Sequence, residues 1–112
     1  PIASLQGIQF MLADMHIQTE AVRSILYRTS QMIDRGEGSA TEIGSLVSMS
    51  KCLSGDTAVK VATDAVQVLG GYGYIKDYPV ERMMRDAKSV QIFDGTNQIQ
   101  RLVVARNLLG IK

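Results

Sequence analysis

The residues best equipped for chemistry lie at 91–101, QIFDGTNQIQR. Ile92 and Phe93 deliver a carboxylate, Asp94, into a Gly95-Thr96-Asn97 corner, and Gln98-Ile99-Gln100-Arg101 opens a helical pattern. Two chemistries suit such a corner. Asp94 or Thr96 can cap the following helix, with Gly95 permitting a tight entry. Alternatively, unpaired amides at the helix start, with Thr96 and Gln98 beside them, seat anionic or polar groups of a cofactor. Asp94 then projects beside that seat as a base. A cap accounts for one polar residue and leaves Asp, Gly, Thr, Asn and Gln together unexplained. Local features leave both readings open.

A second candidate is the glycine cluster QVLGGYGYIKDYP, residues 67–79. It reads as a helix C-terminus in which Gly70 or Gly71 turns left-handed and tyrosines cover the helix end. It reads equally as a place where bare backbone approaches a phosphate or a ring. The likeness of GYGYIKDY to the aromatic signature of RNA-binding sheets is rejected: Gly70 stands for its basic residue, Asp77 for its last aromatic, and the flanks are helical. No metal cluster can be assembled from the one histidine, His16, and the one cysteine, Cys52, which lie far apart in sequence. His16 reads as a helix-surface residue. Nothing positions a nucleophile–histidine pair or the paired carboxylates of glycoside chemistry.

The elements that must hold these residues are helices. Ile8, Met11, Leu12, Met15, Val22, Ile25, Leu26, Thr29, Met32 and Ile33 step by three and four. Ile43, Leu46, Val47, Ser50, Leu53, Thr57, Val61, Ala65 and Leu69 do the same. Each pattern predicts a helix of about 30 residues, roughly 45 Å long. A short loop from Asp34 to Ala40 should pack the two antiparallel. Ser39 and Glu42 form a capping-box pair for the second helix, whose many small residues permit close approach of neighbours. Pro79 suits the first turn of a short helix with Val80, Met83, Met84 and Ala87 on one face. Ile99, Leu102, Val103, Arg106 and Leu109 mark a fourth helix, ended by Gly110. The expectation is one all-α domain over residues 1–112: an up-down bundle of four helices, two long and two shorter.

Composition narrows the classes. Hydrophobic residues are 46% and charged residues 21%, which suits a globular core and not a disordered chain. A net charge of +1 gives no basis for nucleic-acid or anionic-membrane binding. No apolar run is long enough to span a bilayer. The opening PIASLQGIQF has no signal-peptide pattern, and the lone cysteine fits a reducing compartment. A bacterial cytoplasm or a mitochondrial matrix is the expected location. The start at Pro1 reads as a processed chain or a piece of a longer one.

LQGIQFMLADM, ATDAVQVLGGYGYIKDYPVERMMRDAK and IFDGTNQIQRLVVARNLL, in this order, closely resemble the C-terminal helical domain of the acyl-CoA dehydrogenases. The resemblance covers nearly the whole chain and is weakest from about His16 to Met49. It implies a three-domain FAD flavoprotein, usually a homotetramer, that removes hydrogens from Cα and Cβ of an acyl-CoA thioester. An electron-transferring flavoprotein is the implied partner that reoxidises the FAD.

Residue by residue, Asp94 matches the carboxylate, usually glutamate, that takes the α-proton while the β-hydrogen leaves as hydride to the flavin. The backbone N–H at this position would hold the thioester carbonyl. Phe93 and Gly95 fall at the substrate, Phe93 where tyrosine is common. Thr96 and Gln98 match contacts to the FAD of their own subunit. Gln67, Gly70 and Gly71 match a stretch touching a neighbouring subunit's FAD. Arg82, Arg85 and Asp86 are assigned to structural ion pairs.

Aspartate is one methylene shorter than glutamate, and an error in reach of about 1 Å can cost on the order of a hundredfold in rate. The shorter side chain therefore implies either a differently seated substrate, such as a bulky or cyclic acyl group, or a base elsewhere; some relatives carry it on a helix upstream. Without the other two domains the chain is expected not to hold FAD tightly and to be inactive. The rival expectation is a catalytically silent helical module kept for oligomerisation.

Overall fold

The computed structural model describes residues 1–111. After a 3-10 turn at Ile2–Ser4 come α1 (Gln6–Arg35), α2 (Ala40–Leu69), a one-turn α3 (Gly71–Tyr74), α4 (Val80–Val90) and α5 (Asn97–Leu109). The all-α bundle of two long and two shorter helices is as expected, with α3 added where the glycine cluster was read as a helix C-terminus or a bare backbone approach. No strand occurs among the described residues.

α1 and α2 are each 30 residues long. α1 stops at Gly36, whose left-handed φ of 64° lets its N–H reach Ile33 O while Glu37 N–H reaches Met32 O. The turn is tighter than the sequence implied, because α1 runs through Asp34 and Arg35. Ser39 then caps α2, its Oγ accepting from Glu42 N–H at 3.2 Å. Across the hairpin the Thr29 and Ser50 hydroxyls meet at 3.2 Å.

α5 runs antiparallel to α2: Asn97 at its start bonds Cys52 and Asp56, and Asn107 near its end bonds Ser45. α4 joins the same helix through Gln91, just past its last turn, which donates to Asp56 at 2.7 Å. α2 is thus the central post. Its Gly55 permits this, since a Cβ there would stand 2.9 Å from Asn97 Nδ2. Gly73 serves likewise at the far end, where a Cβ would lie 2.7 Å from Val66 O. Pro79 stands one place earlier than expected, as the N-cap of α4 with its carbonyl accepting from Met83 N–H. Val80, Met84 and Ala87 are half-buried, but Met83 is exposed. Arg82, Arg85 and Asp86 are exposed and form no ion pair among the described residues. A solvated helix face gives such pairs too little energy to fix one geometry.

The interior is small and polar. Leu46, at 7% exposure, is the one buried apolar residue among those described, beside Thr29, Ser48, Ser50, Thr57 and Asn97. Every buried side-chain nitrogen or oxygen described has a hydrogen-bond partner, as a polar interior requires. The apolar residues of both long helices reach the surface, Phe10, Ile17, Leu26, Val47 and Leu53 among them.

Candidate active-site corner

The corner is built by stopping α4 and starting α5 within six residues. After Val90 the chain turns twice, with Ile92 and Phe93 N–H groups both returning to Ser89 O. Asp94 follows with φ 52°, the one non-glycine residue with positive φ among those described, and Gly95 continues at φ 83°. An L-residue pays for this conformation, though aspartate tolerates it better than most. A Cβ at Gly95 would meet only the movable end of the Gln100 side chain, at 2.7 Å, so it is the positive φ that favours glycine there.

Thr96, not Asp94, is the cap: its Oγ1 accepts from Ile99 N–H at 3.2 Å. Asn97 N–H is taken by Gln91 O. The amide cluster expected at the helix start is therefore mostly occupied, leaving Gln98 N–H without an acceptor among the described bonds. Asp94 N–H likewise has none. The Asp94 carboxylate is exposed and enters no ion pair or hydrogen bond described. Phe93 beside it is about half exposed. Phe93, Asp94, Gly95, Thr96 and Gln98 thus form one surface, with an unengaged carboxylate and the Asp94, Gly95, Thr96 and Gln98 N–H groups without acceptors among the described bonds.

Behind that surface lies a polar lock that the sequence did not disclose. Asn97, 2% exposed, donates to Cys52 O at 3.1 Å and Asp56 Oδ1 at 2.8 Å. It accepts from Lys51 Nζ at 3.0 Å, and the same ammonium donates to Gly95 O at 2.7 Å. Asp56 also accepts from Gln91 and is ion-paired with Arg101. Burial alone would raise the Asp56 carboxyl, but donation from Asn97, Arg101 and Gln91, with the Arg101 charge, holds it below the ordinary carboxylate value. Arg101 is raised in turn, chiefly by its bond to Asp56. One sign was available in the sequence: Lys51 and Asp56 are charged residues in the middle of a helix rich in small and apolar ones. Their partners lie 35 to 46 residues away, where no periodicity points.

Gln67 and Gly70 line a separate cavity of about 540 Å³ with Ile2, Val68, Leu69, Tyr72 and Tyr78. It lies roughly 20 Å along α2 from Asp56 at 1.5 Å per residue, so the two sets of expected cofactor contacts are not brought together within one chain. Gly70 has positive φ (59°) but ψ −137°, outside the left-handed helical region expected of a C-cap. Gly71 begins α3 instead, and a Cβ on it would meet nothing within 4 Å. Nothing inside the chain requires glycine at 71, so its bare backbone is open to an approaching group. The unengaged Gln98 amide and this open glycine backbone fit the polar edges of a dinucleotide-type cofactor in two separate places. His16 is exposed on α1 as expected, and no cluster of metal-ligating residues occurs among those described. No described helix is long and apolar enough to cross a membrane.

Comparison with known proteins gives this geometry a family. Residues 1–109 match the model of the acyl-CoA dehydrogenase C-terminal domain. The chain is 53% identical over 110 residues to an acyl-CoA dehydrogenase of Bacillus subtilis, covering 98% of this chain and 28% of that protein. It is 52% identical over 109 residues to cyclohex-1-ene-1-carbonyl-CoA dehydrogenase of Geobacter metallireducens, covering 97% and 28%. Among solved structures, the FAD complex of PigA superposes with a TM-score of 0.88 at 31% identity, over 96% of this chain and 27% of that one. The chain thus spans little more than a quarter of the length of the relatives it matches. By sequence and by fold it belongs to the acyl-CoA dehydrogenase family, as a C-terminal domain.

Proposed function

We propose that this domain carries the catalytic base of an FAD-dependent acyl-CoA dehydrogenase, and that the base is Asp94. The observation that carries the reading is the corner itself: an exposed, unengaged carboxylate beside its own free N–H, with the backbone fixed in the left-handed region. Asp94 takes the proton from Cα of the acyl thioester. Its N–H donates to the thioester carbonyl and stabilises the enolate that develops, as an oxyanion hole does. Bound FAD supplies the acceptor for the hydride leaving Cβ, and the Cα–Cβ bond becomes double. Phe93 and Gly95 bound the acyl group, and Thr96 and Gln98 hold the cofactor of the same subunit. Gln67, Gly70 and Gly71 receive the cofactor of a second subunit, so the working enzyme is a homo-oligomer, a tetramer as in the family's usual form. An electron-transferring flavoprotein reoxidises the cofactor.

Aspartate at position 94 selects substrate shape. A carboxylate about one methylene short leaves room for a ring at Cα–Cβ, and the likeness to an enzyme named for an alicyclic thioester agrees with this. The test is anaerobic flavin absorbance of the full-length protein. Bleaching is expected on adding acyl-CoA, faster with a cyclohexane-ring thioester than with a straight chain of equal carbon number. Asp94→Glu is expected to reverse that order. A flavin that no thioester bleaches would leave the silent oligomerisation module as the standing account.

A further inference from the structure

Asp94 sits in a conformation that it would leave if released, yet its own side chain engages nothing that holds it. The restraint comes from carbonyl oxygens. Gly95 O accepts from Lys51 Nζ at 2.7 Å and from Gln100 Nε2 at 3.4 Å, and Asp94 O accepts from Gln100 Nε2 at 3.2 Å. The ammonium is the stronger of the two donors, because a charge-assisted bond is short and about twice as strong as a neutral one. Lys51 forms no ion pair among the described residues. Its second bond is to Asn97, which is itself fixed from behind by Cys52 O and Asp56 and fitted over Gly55. A line of hydrogen bonds thus runs from the middle of α2 to the Gly95–Thr96 peptide, one residue beyond Asp94.

We infer that Lys51 is a positioning residue for the Asp94 carboxylate: its ammonium clamps the corner's carbonyl side and fixes where the base points. The inference rests on the reading of Asp94 as the base. Lys51 itself touches neither substrate nor cofactor in this role. Without the clamp, Asp94 and Gly95 relax toward ordinary φ and the carboxylate swings by an ångström or more. Displacement on that scale costs about a hundredfold when a proton must be met at hydrogen-bond distance.

The test uses the full-length holoenzyme and stopped-flow bleaching of its flavin by acyl-CoA. Lys51→Met keeps the aliphatic stem and removes the donor. Its saturating rate is expected to fall roughly ten- to a hundredfold, with FAD content and KM within about twofold of wild type. Lys51→Arg, which retains a cationic donor, is expected to recover most of the rate. Ser45→Ala is the control, since it breaks the Asn107–Ser45 bond at the far end of α5 and should leave the rate unchanged. An equal loss in Ser45→Ala would mark general loosening and overturn the positioning role. A wild-type rate in Lys51→Met alongside an inactive Asp94→Asn would overturn the clamp and leave the base standing. Wild-type rates in both would remove the base assignment and the clamp with it. Should Lys51→Met not fold, Gln100→Met tests the same restraint from the exposed side, and an unchanged rate there counts against it.

Discussion

At position 94 the backbone asks for a residue that accepts φ 52°. Asparagine and aspartate enter the left-handed region more readily than longer side chains, because a short polar group can bond locally. Asp94→Asn is therefore expected to leave the thermal midpoint of the full-length protein almost unchanged, within about 0.5 kcal/mol. Asp94→Glu is expected to cost about 0.5–1 kcal/mol, because glutamate lacks that tolerance. Paired melting curves check both. Conformation thus gives a second reason, besides substrate shape, for an aspartate at this corner. The other residue with a measurable signature is Asp56. Its carboxyl is held below the ordinary value, so it contributes stability that is fully present above the unfolded value of about 4 and is lost as pH falls through its lower folded value. The gap in stability between wild type and Asp56→Asn is expected at pH 7 and should close in acid below about pH 4. A gap that stays constant on acidification would contradict the lock at Asp56.

At the scale of elements, the helices were legible because their apolar residues keep one period over 30 positions. The Ser39–Glu42 cap and Gly110 as a helix end were legible because caps are local chemistry. The contacts that join α5 to α2 were not. They pair residues 41 to 66 positions apart, through single polar groups that follow no repeat. The small residues of α2 did announce close approach, and Gly55 shows what they admit: the buried amide of Asn97. Gly55→Ala would place a methyl 2.9 Å from that amide, and overpacking of this kind costs about 1–3 kcal/mol. Because Asn97 also starts α5, the same change is expected to lower flavin bleaching more than a remote substitution of equal stability cost. Denaturant unfolding measured beside the bleaching rate separates the two effects.

For the whole molecule, the apolar pattern that predicted a core instead describes surface. The accessible area is 7795 Å², roughly a quarter more than a compact monomer of 12.2 kDa exposes. The radius of gyration, 16.9 Å over a body of 50 × 25 × 25 Å, likewise exceeds the roughly 13 Å of a compact chain this long. Periodicity reveals that a face is apolar but not what covers it. The excess matches what about two standard interfaces bury on one partner, which accords with an element completed by other domains or subunits. The isolated 112-residue chain is accordingly expected to associate with itself and to retain no FAD. Sedimentation and the flavin absorbance left after gel filtration check this; a monomer that keeps stoichiometric flavin would contradict it.

Isotope exchange at Cα of the acyl thioester reports whether Asp94 removes the α-proton. Full-length wild-type enzyme and Asp94→Asn, both with FAD bound, are incubated anaerobically with acyl-CoA in deuterated water, and deuterium at Cα is followed by mass spectrometry. Wild type should incorporate deuterium readily, and Asp94→Asn should fall to the level of the thioester alone. Exchange at the wild-type rate in Asp94→Asn would place the base on another residue.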